Sequence, residues 1–243
     1  MTTPNYFKKV LAWLFPYTCI LCHYPSAREQ DLCADCLHEL PILPQSCPRC
    51  ANTFAFSPPN ADLLCGSCLA NNPPFDTTFA LFNYVTPITK MIMELKFHER
   101  LINANILGDL MYEAVISAWY QARPLPDLII PIPLHPKRQR ERGFNQTIEI
   151  ARPLAHKLKL PLVIKGCHRV KYTDAQARLH KQERKQNLVN AFKITRSFKG
   201  LHVAVLDDVI TTGQTITHFC QALRAAGAAK IDVWCCAKTQ QRT

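Results

Sequence analysis

The 243-residue sequence lacks any apolar run long enough to cross a bilayer. It also lacks the pattern of a secretory signal, because the apolar stretch Val10–Phe15 is short, Pro16 interrupts it and no small-residue cleavage site follows. We expect a short amphipathic helix there, and a cytoplasmic protein with no transmembrane segment. Disulfides are rare in that compartment, so the 12 cysteines predict metal ligation or burial.

The excess of basic over acidic residues is confined to one part of the chain. Between Pro131 and Gly200 the sequence has 17 lysines and arginines against 4 aspartates and glutamates, whereas the whole chain has 29 against 18. The whole positive excess therefore lies in this stretch. A local basic field attracts polyanions, which include pyrophosphate, nucleotides and nucleic acid. A solvated basic surface is the plainer alternative.

Eight cysteines form four Cys-x-x-Cys pairs before residue 70. Two such turns supply the thiolates of one tetrahedral site, so four turns predict two closed, structural zinc sites. Sequential pairing of the turns is favoured, interleaved pairing stays open, and redox dithiols or iron–sulfur ligation are the alternatives to zinc. The predicted ligands are Cys19, Cys22, Cys33, Cys36, Cys47, Cys50, Cys65 and Cys68. The scattered Cys167, Cys220, Cys235 and Cys236 are expected to be small buried residues.

A turn-rich break at residues 71–74 indicates a domain boundary. After it, apolar strands alternate with amphipathic helices, which is typical of a parallel α/β sheet. We predict a double zinc-ribbon domain at 1–75 and an α/β domain at 76–243. The predicted strands are 77–86, 128–130, 162–164, 201–206 and 231–237, and the predicted helices are 88–119 with a break at 98–100, 145–159 and 215–226.

The segment Val203–Thr215 is the most specific part of the sequence. A buried strand brings two carboxylates, Asp207 and Asp208, to the edge of the sheet where α/β proteins bind ligands. The carboxylates would accept hydrogen bonds from ribose hydroxyls or face Mg²⁺. The next loop offers hydroxyls and backbone N–H groups at the start of a helix, which predicts a nest for a monophosphate. The nest residues are Thr211, Thr212, Gly213, Gln214 and Thr215.

This segment resembles the signature of type I phosphoribosyltransferases that binds phosphoribosyl pyrophosphate (PRPP). Residues 131–136, the run Arg142–Gln146 and the cysteine-rich start resemble the ComF/GntX family of competence-associated phosphoribosyltransferase-like proteins. The resemblance implies a double zinc ribbon followed by a type I phosphoribosyltransferase-like parallel sheet. It also implies that Asp207 and Asp208 hold the ribose hydroxyls and that residues 211–215 hold the 5′-phosphate.

The sequence departs from the enzyme class at the place of the pyrophosphate loop. A Pro-Ile-Pro run occupies residues 131–133, and proline supplies no N–H donor. Arg138, Arg140 and Arg142 could supply positive charge instead, with a solvated basic turn as the alternative, and Asn145 belongs to the same motif. Residues 166–187 would take the place of the family's mobile hood, which could close over pyrophosphate or lie along nucleic acid.

Two functions are therefore expected. The first is a phosphoribosyltransferase that binds PRPP with Mg²⁺ and transfers phosphoribosyl to an unknown acceptor during DNA uptake. The alternative is a non-catalytic module of the competence machinery that binds single-stranded nucleic acid and retains a ribose-phosphate pocket. The expected partners are PRPP or another ribose phosphate, single-stranded DNA and proteins of that machinery. No residue identifies the acceptor.

Overall fold

The structure is a computed structural model that describes residues 16–56, 60, 62–172 and 190–240. The helix expected at Val10–Phe15 and residues 173–189 of the expected hood lie outside the described residues. The chain divides into two compact units, Met1–Pro41 and Ile42–Thr243. By packing, the second cysteine quartet therefore belongs to the same unit as the sheet. The sequence-based domain boundary at residue 75 stays a prediction.

The first unit has little regular structure among its described residues. It contains a β-bridge between Thr18 and Pro25 and the short helix α1 (Ala34–His38). The Sγ of Cys33 accepts a hydrogen bond from the backbone N–H of Cys36 at 3.5 Å and so caps α1. A piece this small buries too little apolar surface to be stable alone, so a metal ion is the expected source of its stability.

The second unit is built on a parallel sheet. Its strands are β1 (Thr77–Asn83), β2 (Leu128–Pro131), β3 (Cys167–Arg169), β4 (Phe192–Ile194), β5 (His202–Ile210) and β6 (Lys230–Lys238). The four-stranded sheet has the order β1-β6-β5-β2, with all pairs parallel, and β3 and β4 form a separate antiparallel pair. Both faces of β5 and β6 are covered, which explains their continuous apolar runs.

Helices cover the sheet and carry several residues of the site. They are α2 (Gly66–Ala70), α3 (Ile88–His98), α4 (Leu101–Ala114), α5 (Pro136–Arg142), α6 (Gln146–Leu158) and α7 (Gln214–Ala225), and a π-helical turn at Val115–Trp119 extends α4. The predicted break after α3 is confirmed at Glu99, whose φ is 54°. Helices α4 and α6 pack closely at Gly108, where a Cβ would lie 2.7 Å from the carbonyl oxygen of Ile150.

The sequence placed some strand ends wrongly. Strand β5 continues to Ile210 because its pairing with β6 continues as far as Ile210 and Lys238, so Asp207 and Asp208 lie within the strand. The strand predicted at 162–164 is reduced to one bridge between Leu162 and Ile129. The β3–β4 pair escaped prediction because its short, polar strands are far apart in the chain and carry no clear alternation of apolar residues.

Candidate functional site

The two predicted carboxylates lie near the carboxyl end of β5 and differ in their surroundings. Asp208 is only 4% exposed, whereas Asp207 is partly exposed. The Oδ1 atom of Asp207 accepts a hydrogen bond from the backbone N–H of Asp208 at 2.9 Å. A ligand at this edge of the sheet can therefore reach Asp207 more easily than Asp208.

Asp208 is held by side chains from two helices. The ammonium group of Lys96 on α3 forms an ion pair with Asp208 Oδ2, and the amide of Gln146 on α6 donates to Oδ1 at 3.5 Å. Arg142, at the end of α5, donates to the side-chain oxygen of Gln146. Lys96 was not among the predicted site residues, because its spacing in α3 does not distinguish it from any other lysine of an amphipathic helix.

These contacts shift the protonation of the two carboxyl groups in opposite directions. Burial and the neighbouring charge of Asp208 raise the pKa of Asp207 well above its usual value. Burial acts in the same direction on Asp208, but the Lys96 ammonium outweighs it and lowers the pKa of Asp208. Asp208 therefore ionises more readily than Asp207, which retains its proton to higher pH in the absence of a ligand.

The loop after β5 has the features expected of an anion nest. Gly213 has a φ of 75°, which glycine adopts without strain, and a Cβ placed on it would meet no described atom within 4 Å. Helix α7 begins at Gln214, and no side chain in the described parts of the chain caps it. The first N–H groups of a helix have no intrahelical partner, so they are available to a bound anion. The predicted nest residues, Thr211 to Thr215, therefore run through the loop after β5 and into the first turn of α7.

Of the three predicted arginines, Arg138 and Arg142 line a cleft of about 580 Å³ between α3 and α5, whereas Arg140 is exposed outside its lining. The guanidinium carbon of Arg142 lies 5.5 Å from the ring centroid of Phe97, and that of Arg138 lies 6.0 Å from the ring centroid of Tyr172. Phe97 is 62% exposed. Lys96 also lines this cleft, and its pairing with Asp208 connects the cleft to the carboxylates.

Arg169 on β3 is another cation of this region, and its guanidinium carbon lies 5.7 Å from the ring centroid of Phe192. Burial and the charge of Arg138 lower the pKa of Arg169, and the carboxylate of Asp207 acts in the opposite direction. Burial likewise lowers the pKa of Arg142, opposed by Asp208. The cations with a structural link to the carboxylate pair are Lys96, through its ion pair with Asp208, and Arg142, through Gln146.

Asn145 has a structural task in this arrangement. It is buried, and its amide group donates to the carbonyl oxygen of Ile132 at 3.0 Å. Its Oδ1 atom accepts hydrogen bonds from the backbone N–H and the hydroxyl of Thr147, at 3.1 and 2.6 Å. Asn145 thus caps α6 and fixes the Pro-Ile-Pro run against it. Direct contact between Asn145 and a substrate stays a prediction.

Both predicted cysteine quartets are assembled. In each, the four Sγ atoms lie within 4.8 Å of one another, and the separations are 3.7 Å for Cys22 and Cys33 and 3.6 Å for Cys50 and Cys65. A tetrahedral zinc ion with Zn–S bonds of about 2.3 Å requires sulfur atoms about 3.8 Å apart. The donor sets therefore fit structural zinc, and sequential pairing is confirmed. The quartets are Cys19, Cys22, Cys33 and Cys36, and Cys47, Cys50, Cys65 and Cys68.

The scattered cysteines are buried, as predicted, and burial raises the pKa of each thiol above its usual value: Cys167, Cys220, Cys235 and Cys236.

None of the described helices is long and apolar enough to span a membrane.

Two family models match the chain. One, described as a double zinc ribbon domain, matches residues 10–69, and the other, described as a phosphoribosyl transferase domain, matches residues 146–243. They agree with the two types of site that the structure assembles: the cysteine quartets and the strand-loop-helix edge of the sheet.

Curated relatives cover most of the chain. A Salmonella typhi protein named DNA utilization protein YhgH is 34% identical over 92% of this chain and 98% of its own length. Competence protein F of Haemophilus influenzae is 33% identical over 90% of this chain and 96% of its own length. Competence protein ComFC of Bacillus subtilis is 24% identical over 83% of this chain and 81% of its own length.

Among solved structures, a purine phosphoribosyltransferase from Pyrococcus horikoshii is similar, with 20% identity, a TM-score of 0.33, and coverage of 58% of this chain and 75% of that one. This structural similarity is weak, so the assignment of the fold depends on the sequence comparisons and on the parallel sheet itself.

Proposed function

The chain belongs to the family of DNA utilization and competence proteins that join a double zinc ribbon to a phosphoribosyl transferase domain, and on this premise we propose that it binds PRPP. The proposal includes transfer of the phosphoribosyl group to an acceptor during the handling of imported DNA. The observation that carries it is the loop at residues 211–213, which lies between the carboxylates of β5 and the start of α7.

In the proposed complex, the 5′-phosphate binds to the nest of Thr211 to Thr215. Asp207 accepts hydrogen bonds from the ribose hydroxyls, and Asp208 holds its place through Lys96. Carboxylate oxygens are ligands that Mg²⁺ prefers, so Asp207 in its ionised form would hold an Mg²⁺ ion that enters with PRPP. Bound Mg²⁺ supplies positive charge that offsets the charge on the departing pyrophosphate.

The cleft of Arg138 and Arg142 is the proposed site of the pyrophosphate group. The Pro-Ile-Pro run beside it supplies few N–H donors, whereas guanidinium groups bind phosphate oxygens in a bidentate manner. Arg142 reaches Asp208 through Gln146, so the charge that would receive pyrophosphate is connected to the side chains that would hold the ribose.

Calorimetric titration with PRPP, with and without Mg²⁺, followed by an assay for released pyrophosphate, tests this function. Arg142→Ala is expected to weaken PRPP binding far more than ribose 5-phosphate binding, because only PRPP carries pyrophosphate. Arg140→Ala is the matched control, since Arg140 is an exposed arginine of the same helix. Equal losses for both ligands, or for both variants, would remove the assignment of this cleft to pyrophosphate.

A second candidate function, binding of single-stranded nucleic acid without catalysis, is favoured by the aromatic rings in the same cleft. Phe97 is exposed beside Arg142, and the ring of Tyr172 lies 4.6 Å from the ammonium group of Lys137. Aromatic rings beside cations bind single strands by stacking and charge, at about 1–3 kcal/mol for each stacked base.

Binding of an oligothymidylate is expected to weaken steeply as salt rises. At a fixed salt concentration, Phe97→Ala is expected to weaken the binding of oligothymidylate. Phe56→Ala removes a ring of similar exposure, 61%, and is expected to leave this binding unchanged. The basic side chains Lys181 and Lys185 of the expected hood lie outside the described residues. If oligothymidylate does not bind even at low salt, the nucleic-acid function is rejected and the enzymatic function is the remaining candidate.

A further inference from the structure

The second cysteine quartet lies beside the proposed phosphate nest. A cleft of about 420 Å³ has Cys50 and Cys68 on one side and Thr212, Gly213 and Gln214 on the other. Four thiolates on Zn²⁺ carry a net charge of −2, which repels a phosphate group. An anion site beside such a centre therefore needs a cation between the two, and the structure has one.

That cation is Lys238, the last residue of β6. It is 3% exposed, and its Nζ atom donates a hydrogen bond to the carbonyl oxygen of Thr211 at 3.3 Å. Burial lowers the pKa of Lys238. Lys238 also lines the same cleft as Cys50 and Cys68 of the second quartet. One buried lysine thus lines the cleft beside the second quartet and also donates a hydrogen bond to the first residue of the nest.

Hydrogen bonds also connect the backbone of the second quartet to the sheet. Thr78 on β1 is 6% exposed; its N–H donates to the carbonyl oxygen of Pro48 at 2.9 Å, and its hydroxyl donates to that of Arg49 at 2.6 Å. Pro48 and Arg49 form the turn between Cys47 and Cys50. Because strand β1 pairs with β6 as far as Lys238, the turn, the sheet and the buried ammonium group form one connected structure.

We propose that the second zinc centre is part of the ribose-phosphate site, with Lys238 as the residue that positions the nest. Zinc fixes the turn that forms one wall of the cleft, because metal binding and local folding are coupled in such turns. The thiolate charge holds the Lys238 ammonium group, which in turn holds the carbonyl of Thr211. This proposal rests on the proposed function of the nest. The first zinc centre, in the other compact unit, takes no part in it.

Linkage between zinc and ribose 5-phosphate tests the proposal on the full-length chain. Coupling between two sites is reciprocal. Saturating ribose 5-phosphate should therefore increase the affinity for one of the two zinc ions by about fivefold or more, as measured in competition with a chelator. The Cys36→Ser variant, which disrupts only the first quartet, should keep this effect. Zinc affinities that do not change while ribose 5-phosphate binds would overturn the proposal.

Lys238→Met separates the positioning role from metal content. The variant should retain two zinc ions and bind ribose 5-phosphate about tenfold or more weakly, the effect of losing a hydrogen bond from a charged group. Lys230→Met is the matched control, since Lys230 lies at the opposite end of the same strand, and it should stay within about twofold of the parent. Lys238→Met binding as tightly as the parent would exclude the positioning role.

Thr78→Val gives an independent test if removal of the buried lysine prevents folding. The substitution nearly preserves volume and removes the hydrogen bond to Arg49, so it should weaken zinc in the second quartet and ribose 5-phosphate binding together. If Thr78→Val changes neither the zinc affinity nor the affinity for ribose 5-phosphate, the proposed coupling is wrong. Failure of the parent protein itself to bind ribose 5-phosphate would be a different result, because it would refute the proposed function of the nest.

Discussion

At the scale of single residues, the two adjacent aspartates are expected to behave in opposite ways. The pKa of Asp207 is raised by burial and by the charge of Asp208, so ionising this carboxyl group is less favourable in the folded than in the unfolded protein. Asp207→Asn should therefore increase the free energy of unfolding at pH 7 while it weakens ribose-phosphate binding. Denaturant titration from pH 3 to pH 7 measures this, and the gain should disappear below about pH 3.9, the usual pKa of aspartate. A loss of stability at pH 7 would contradict the raised pKa.

Asp208 is expected to show the reverse pattern. Asp208→Asn leaves the Lys96 ammonium group without its buried partner, which costs about 3–5 kcal/mol when one member of a buried ion pair is removed. The lowered pKa of Asp208 means that its contribution is complete above about pH 3.9 and is lost as the pH falls through its folded value. The same denaturant titrations should show a flatter acid limb for this variant. Lys96→Met with Asp208→Asn should recover part of the loss.

At the scale of elements, the two ends of α7 separate binding from stability. The helix ends in a Schellman motif, in which Gly227 and Ala228 donate to the carbonyl oxygens of Arg224 and Leu223. A Cβ on Gly227, at a φ of 94°, would lie 2.9 Å from the Cα of Lys199. This end of the helix therefore combines a positive φ with a backbone clash, whereas the Gly213 end has open space.

Gly227→Ala should reduce the melting temperature more than Gly213→Ala and leave ribose 5-phosphate affinity intact. Gly213→Ala should cost only about 1–2 kcal/mol, the strain of a left-handed residue, but should abolish binding because its Cβ occupies the space where phosphate approaches. Calorimetry of both variants measures the two effects. If both variants lose affinity for ribose 5-phosphate in proportion to their loss of stability, Gly213 affects binding only through stability.

At the scale of the whole molecule, the two zinc centres are expected to support different units. The purified protein should carry about two zinc ions, since eight thiolates form two sites of four. Cys36→Ser should release one ion and leave the unit of Ile42–Thr243 folded. Cys65→Ser should also release one ion but destabilise the unit that contains the sheet. Metal analysis and limited proteolysis distinguish the two, and identical cleavage patterns would contradict the division.

The sequence by itself determined the chemistry of the ligands and the order of the elements. Cys-x-x-Cys spacing is local, so it predicted both quartets, and the apolar run before Asp207 predicted a buried strand that ends in a phosphate-type loop. These signals depend on neighbours within a few residues, and the same holds for the break at Glu99.

Only the tertiary structure decided which groups meet. Lys96 pairs with Asp208, and Lys238 reaches Thr211, because parallel strands bring distant segments to one edge of the sheet. The hydrogen bond that Thr78 donates to the turn of the second quartet is likewise a contact that no spacing in the sequence indicates. The pKa shifts of the two aspartates belong to the same class of fact, since burial and a cation from another helix are properties of the packed chain, not of the Asp-Asp pair itself.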